Sequence, residues 1–184
     1  MEKLAILGGE KEINFKFQKF NHIGKEEKKA VNKVMESGIL SQFVGSSGME
    51  FYGGPKVKEF EENCKDYFGV EYAITVNSWT AGLITALGAL ELEPGDEVIV
   101  TPWTMCATAT SILQWNAIPV FADIDRKTFN IDVNSVEKKI TKYTKAIVAA
   151  DIFGQSCNID ELLRIAKKNN IKLLTDTAQA PGTF

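Results

Sequence analysis

The sequence predicts an α/β domain built on a mostly parallel sheet with flanking helices. Three observations carry that expectation. From about residue 55 onward, short apolar runs alternate with stretches of helical period. The runs have strand length rather than helix length. Turn residues separate them, as in "EPGDE" at 93–97, where Pro94, Gly95 and Asp96 feed an apolar run. Strands and helices alternate in this rhythm when each strand returns to one sheet through a helical crossover.

The elements follow in order. "KEEKKAVNKVMESG" (25–38) places Ala30, Val31, Val34 and Met35 on one helical face, with Gly38 as its stop. "GILSQFVGSSGMEFYGG" (38–54) is rich in Gly and Ser and lacks a period, so it reads as a loop, either a plain linker or a binding or subunit-contact element. Residues 1–54 are therefore expected to form an arm, helix and loop, and residues 55–184 the globular part. "PKVKEFEENCKDYFG" (55–69) opens on Pro55 and stops at Gly69, and its spacing is expected to bury Val57, Phe60, Cys64 and Phe68. Strands are expected at Tyr72–Val76, Val98–Thr101, Ile118–Ala122, Lys145–Ala150 and Ile171–Thr175. Helices are expected at Thr80–Leu90, Cys106–Trp115, Val133–Ile140 and Ile159–Lys168.

Composition excludes several function classes. A formal charge of −3 from 21 basic and 24 acidic residues, with no like-charge block beyond "KEEKK", leaves no footprint for nucleic acid or an anionic membrane. Three scattered cysteines and a single histidine, His22, argue against a zinc site and against Cys-His or Ser-His-Asp catalysis. No apolar run reaches membrane-spanning length, and "MEKLAILGGE" is too brief for a signal peptide, so a cytoplasmic location is the expectation.

In an open parallel sheet, ligands bind beyond the carboxyl ends of the strands, where helices begin. Three stretches occupy such corners. In "TVNSWTAGL" (75–83) a helix starts behind Asn77 and Ser78, so free N–H groups and the helix dipole could seat an anion, with Ser78 and Thr80 adding hydroxyls. A simple N-cap is the plainer use of the same residues. In "TPWTMCATA" (101–109), Trp103 or Met105 could lie against a flat ligand or simply pack in the core. In "LLTDTAQAPGTF" (173–184), an apolar strand runs into Asp176, where an unpaired carboxylate is expensive to bury. Asp176 could cap a helix, hold Mg²⁺ or pair with a cationic ring nitrogen. A phosphate seat, a flat contact and an anionic partner together suit pyridoxal 5′-phosphate (PLP).

These residues carry a resemblance to the DegT/DnrJ/StrS aminotransferases, PLP enzymes of fold type I that act on sugars. It extends from "LAILGG" (4–9) to the last residue, through "GGPKVKEFE" (53–61), "NSWTAGL" (77–83), "PGDEVIVTP" (94–102), "TMCATA" (104–109), "IPVFADIDRKTFNID" (118–132) and "DTAQAPG" (176–182). "LAILGG" and "TPWT" most resemble the branch of scyllo-inosose aminotransferases and 3-amino-5-hydroxybenzoate synthases. The resemblance implies the large domain of fold type I, ahead of a small C-terminal domain. It places Ser78, Trp79 and Thr80 around the cofactor phosphate, Asp176 on the pyridine nitrogen, Gln179 by the ring hydroxyl and Met105 against the ring. This sequence departs from the family at Trp79 (usually Gly), Met105 (usually Phe or Trp), Asp151 and Pro181 (both frequently His).

The family's Schiff-base lysine lies downstream of the "DxAQ" motif, and no lysine here matches it, so no catalytic residue is assigned within these 184 residues. The implied function is amino transfer from glutamate or glutamine to a keto sugar, nucleotide-linked keto sugar or keto cyclitol. This chain would act as an N-terminal part or subunit, in a homodimer or with a complementary C-terminal chain. The alternative is a lysine-free binding or regulatory module of the same fold.

Overall fold

The computed structural model describes residues 3–20, 22–40 and 42–183. Contacts divide the chain into two units, Met1–Lys58 and Glu59–Phe184.

In the first unit, helix α1 (Lys25–Ser37) begins where the Gly24 N–H donates to Glu27 Oε2 at 2.6 Å. It ends at Gly38, whose φ of 71° is a left-handed stop that glycine adopts without a Cβ clash. The loop expected after it holds one 3₁₀ turn, Met49–Tyr52, and its Ser41 lies outside the described residues. No residue of α1 is buried, and Val31 and Met35 are both 60% exposed.

Helix α2 (Pro55–Phe68) starts on Pro55 and is followed by Gly69, as its sequence predicts. The expected burial is not found. Phe60 and Phe68 are exposed, and Val57 and Cys64 are only half-buried. Helical period fixes which side chains share a face, but another element must cover that face, and here the cover is only partial.

In the second unit, α3 (Trp79–Gly88), β1 (Glu97–Val100), α4 (Cys106–Leu113), β2 (Ile118–Phe121), α5 (Val133–Lys139), β3 (Thr144–Ala150), α6 (Ile159–Lys168) and β4 (Lys172–Asp176) follow one another. The four strands pair in parallel in the order β2-β1-β3-β4. Alternation along the central strands sorts the core. Val98, Val100, Ala146 and Val148 face Leu87 of α3 and Ile112 of α4. Ile99, Ile147 and Ala149 face Val136 of α5 and Leu162, Ile165 and Ala166 of α6. Helices thus cover both faces, which is why the central strands read as continuous apolar runs. Each fully buried Val, Leu or Ile contributes about 1.5–3 kcal/mol.

Four of the five expected strands and all the expected helices form, within a residue or two at their ends. The exception is Tyr72–Val76, which has no ladder partner among the described residues. Its Thr75 N–H and hydroxyl both donate to Glu61 Oε1 at 2.8 Å, and Ile74 is 79% exposed. An apolar β-branched run is not a strand until a neighbour completes its hydrogen bonds.

Candidate active site

The structure brings the starts of α3 and α4 to the carboxyl end of β4, and Asp176 is where they meet. This carboxylate is 7% exposed at the last position of its strand. Its Oδ1 accepts from Trp79 Nε1 at 2.5 Å and from the Ala178 N–H at 3.3 Å. Its Oδ2 accepts from Thr108 Oγ1 at 2.7 Å. A carboxylate offers about four acceptor positions, so one remains on Oδ2. A ring N–H is a suitable partner for it, since a bond between charged groups is the stronger kind.

At the start of α3, Ser78 caps the helix by accepting the Ala81 N–H at 3.2 Å. The Trp79 and Thr80 N–H groups have no partner among the described residues, as expected in a first helical turn. They, with the Thr80 hydroxyl and the helix dipole, leave this corner suited to a dianionic phosphate. The start of α3 and the carboxylate are thus joined through a single residue, Trp79. The donor set fits PLP.

Met105 is the N-cap of α4, with no side-chain capping bond, and is 70% exposed, so it is not core packing. Gln179 is tied elsewhere: its Oε1 accepts the Phe153 N–H at 2.9 Å, leaving the amide NH₂ group. Phe153 sits at φ 57°, a left-handed conformation that costs a non-glycine residue about 1 kcal/mol, and the bond to Gln179 helps to hold it there.

Of the residues that complete this region, Trp103 stood out in the sequence, whereas Thr108, Phe129, Phe153 and Asn130 did not. Thr108 is fully buried and binds Asp176 directly. A hydroxyl on the apolar face of a helix was its only signal. Trp103, Phe129 and Phe153 form a row of rings with centroids 5.9 and 6.1 Å apart. Asn130, 3% exposed, donates to the Gln155 and Ser156 carbonyls and accepts the Ile152 N–H.

Asp151, where the resemblance leads one to look for a frequent histidine, is 3% exposed and accepts the Cys157 N–H at 2.8 Å. Cys157 donates its thiol to the Ala150 carbonyl. Burial, reinforced by the Asp151 carboxylate, pushes that thiol up to about 12. At pH 8 its thiolate fraction is on the order of one in ten thousand. Iodoacetamide at pH 8 is therefore expected to label exposed Cys106 and to leave Cys157 unmodified until the chain is unfolded. Peptide mass mapping before and after denaturant reads this out, and early labelling of Cys157 would show that its burial is wrong. No described helix is long and apolar enough to cross a membrane.

The chain is similar to known proteins in sequence and in fold. The DegT/DnrJ/EryC1/StrS aminotransferase family matches residues 21–184. The chain is 42% identical over 174 residues to the spore coat polysaccharide biosynthesis protein SpsC of Bacillus subtilis (strain 168), covering 90% of this chain and 42% of that protein. It is 36% identical over 174 residues to dTDP-3-amino-3,6-dideoxy-alpha-D-galactopyranose transaminase of Aneurinibacillus thermoaerophilus, covering 95% and 43%. Among solved structures, it is similar to a GDP-4-keto-6-deoxymannose-3-dehydratase with a trapped PLP–glutamate geminal diamine. The TM-score is 0.80 and the identity 29%, over 90% of this chain and 42% of that one. The chain thus spans about two fifths of the length of the relatives it matches, and its sheet is that of the PLP-binding large domain. With residues 21–184 matched, the chain belongs to the DegT/DnrJ/EryC1/StrS aminotransferase family.

Proposed function

We propose that this chain supplies the cofactor-holding residues of a PLP-dependent aminotransferase that moves an amino group from glutamate or glutamine to a keto sugar, nucleotide-linked keto sugar or keto cyclitol. The observation that carries the reading is the convergence on Asp176: a nearly buried carboxylate joined to a phosphate-suited helix start through Trp79. PLP is the cofactor of this family and, when bound, supplies an electron sink for moving a proton between two carbons.

Each residue has a task in this reading. Asp176 pairs with the ring nitrogen and keeps it protonated. Ser78, Trp79 and Thr80 hold the phosphate at the start of α3. Gln179 offers its amide to the ring hydroxyl, and Met105 packs a thioether against the ring face. By resemblance, the cofactor-capturing lysine follows the "DxAQ" motif in the family, and the reading has it act with these residues in a homodimer or in an assembly with a complementary C-terminal chain.

The test is direct. The chain, alone and together with a downstream segment bearing the lysine, is titrated with PLP and followed by tryptophan fluorescence and by cofactor absorbance after dialysis. Saturable binding and, in the combined sample, glutamate-dependent conversion of a nucleotide-linked keto sugar to an amino sugar are expected. A combined sample that purifies as a complex without cofactor absorbance or amino transfer rejects the proposal. A deoxygenated rather than aminated product would instead point to a dehydratase.

A further inference from the structure

We infer that Thr108 is the positioning residue for the Asp176 carboxylate, with Thr104 fixing the Thr108 hydroxyl in turn. The inference rests on the reading of Asp176 as the partner of the cofactor nitrogen.

A buried threonine inside a helix ordinarily turns its hydroxyl back to a carbonyl of the preceding turn. Thr108 does not. It is fully buried in the first turn of α4, and its Oγ1 reaches Asp176 Oδ2 at 2.7 Å, across 68 residues of sequence. Its other neighbour is Thr104 Oγ1 at 2.9 Å. A hydroxyl has one hydrogen to give, and an ionised carboxylate only accepts. The Thr108 hydrogen is therefore committed to Asp176, and Thr104 must be the donor to Thr108. The result is a one-directional chain, Thr104 to Thr108 to Asp176, in which each bond polarises the next.

The chain has a geometric consequence. Trp79 and Ala178 fix Oδ1 from one side, and Thr108 fixes Oδ2 from the helix that also carries Met105. With both oxygens tied, the carboxylate plane cannot turn, and the remaining acceptor position on Oδ2 keeps one direction. A ring nitrogen held at a fixed distance from its own phosphate needs such an acceptor, because its position is set by the phosphate seat on α3.

The test compares PLP with its deaza analogue, in which C–H replaces the ring nitrogen, on the chain and on its Thr108→Val and Thr108→Ser variants. The wild-type chain is expected to bind PLP more tightly than the analogue. Thr108→Val keeps the side chain's shape and is expected to weaken PLP about tenfold while changing the affinity for the analogue less than twofold; Thr108→Ser should restore the difference. A merely structural hydroxyl would lower both affinities together, so equal losses, or none, overturn the inference. A wild-type chain that binds both ligands equally, or neither, overturns the reading of Asp176 and the inference with it. Thermal melts of each variant identify a fold that has been lost.

Discussion

Asp176→Asn is expected to weaken binding of PLP about a hundredfold, and Asp176→Ala to abolish its retention through gel filtration. The two variants separate two consequences of one carboxylate. Alanine leaves the Trp79 indole N–H and the Thr108 hydroxyl without an acceptor, and stranding a buried donor costs about 1–3 kcal/mol. Its loss of cofactor is therefore mixed with loss of stability. Asparagine keeps the size and one acceptor oxygen but turns a donor NH₂ group toward the other side, so its effect combines the lost charge with one mispaired donor. A charge-assisted bond contributes up to about 3 kcal/mol, which converts to about a hundredfold in affinity. Fluorescence titration gives the affinity, and a thermal melt shows whether the asparagine variant is folded. Cofactor affinity equal to wild type in a folded Asp176→Asn chain would falsify the pairing of this carboxylate with a ring nitrogen.

How much of this was legible in the sequence differs from element to element, for physical reasons. Strands β1 and β3 were legible because helices cover both faces of the sheet, so residues such as Val98, Ile99 and Val100 must all be apolar. The run at 72–76 is similarly apolar, but no strand pairs with it among the described residues, and pairing cannot be read from one segment. The stripe on α2 had the right period, yet Phe60 and Phe68 stay exposed because burial belongs to the pair of surfaces rather than to one of them.

At the site, Asp176 stood out because a carboxylate at the end of an apolar strand needs a partner. Its partners did not stand out. Thr108 is one of several small residues in a helix, and the Trp79 bond links positions 97 residues apart. Asp151 is one of the departures from the family, and its contact with the Cys157 backbone appears only in three dimensions.

Trp79 gives the second large effect, because the position that the resemblance leads one to expect as glycine here carries a donor to Asp176. Its neighbour Gly82 makes room for it: a Cβ built on Gly82 would lie 3.1 Å from the Trp79 ring, tighter than an ordinary contact. The ring thus lies back along α3, and its N–H meets Asp176 Oδ1 at 2.5 Å. Without that donor, Oδ1 keeps only the Ala178 N–H at 3.3 Å. Trp79→Phe retains an aromatic ring and removes the donor.

A hydrogen bond to a charged group is worth about 1.5–3 kcal/mol when buried, and Trp79 is 44% exposed, so water recovers part of it. The variant is expected to be about 1–2 kcal/mol less stable in urea unfolding followed by circular dichroism. A double-mutant cycle with Asp176→Asn assigns that loss to the bond rather than to ring packing. The two substitutions share one interaction and should be non-additive, with a coupling of about 1 kcal/mol or more. Additivity to within about 0.5 kcal/mol would mean that the indole holds α3 by packing alone, and that the carboxylate does not depend on it.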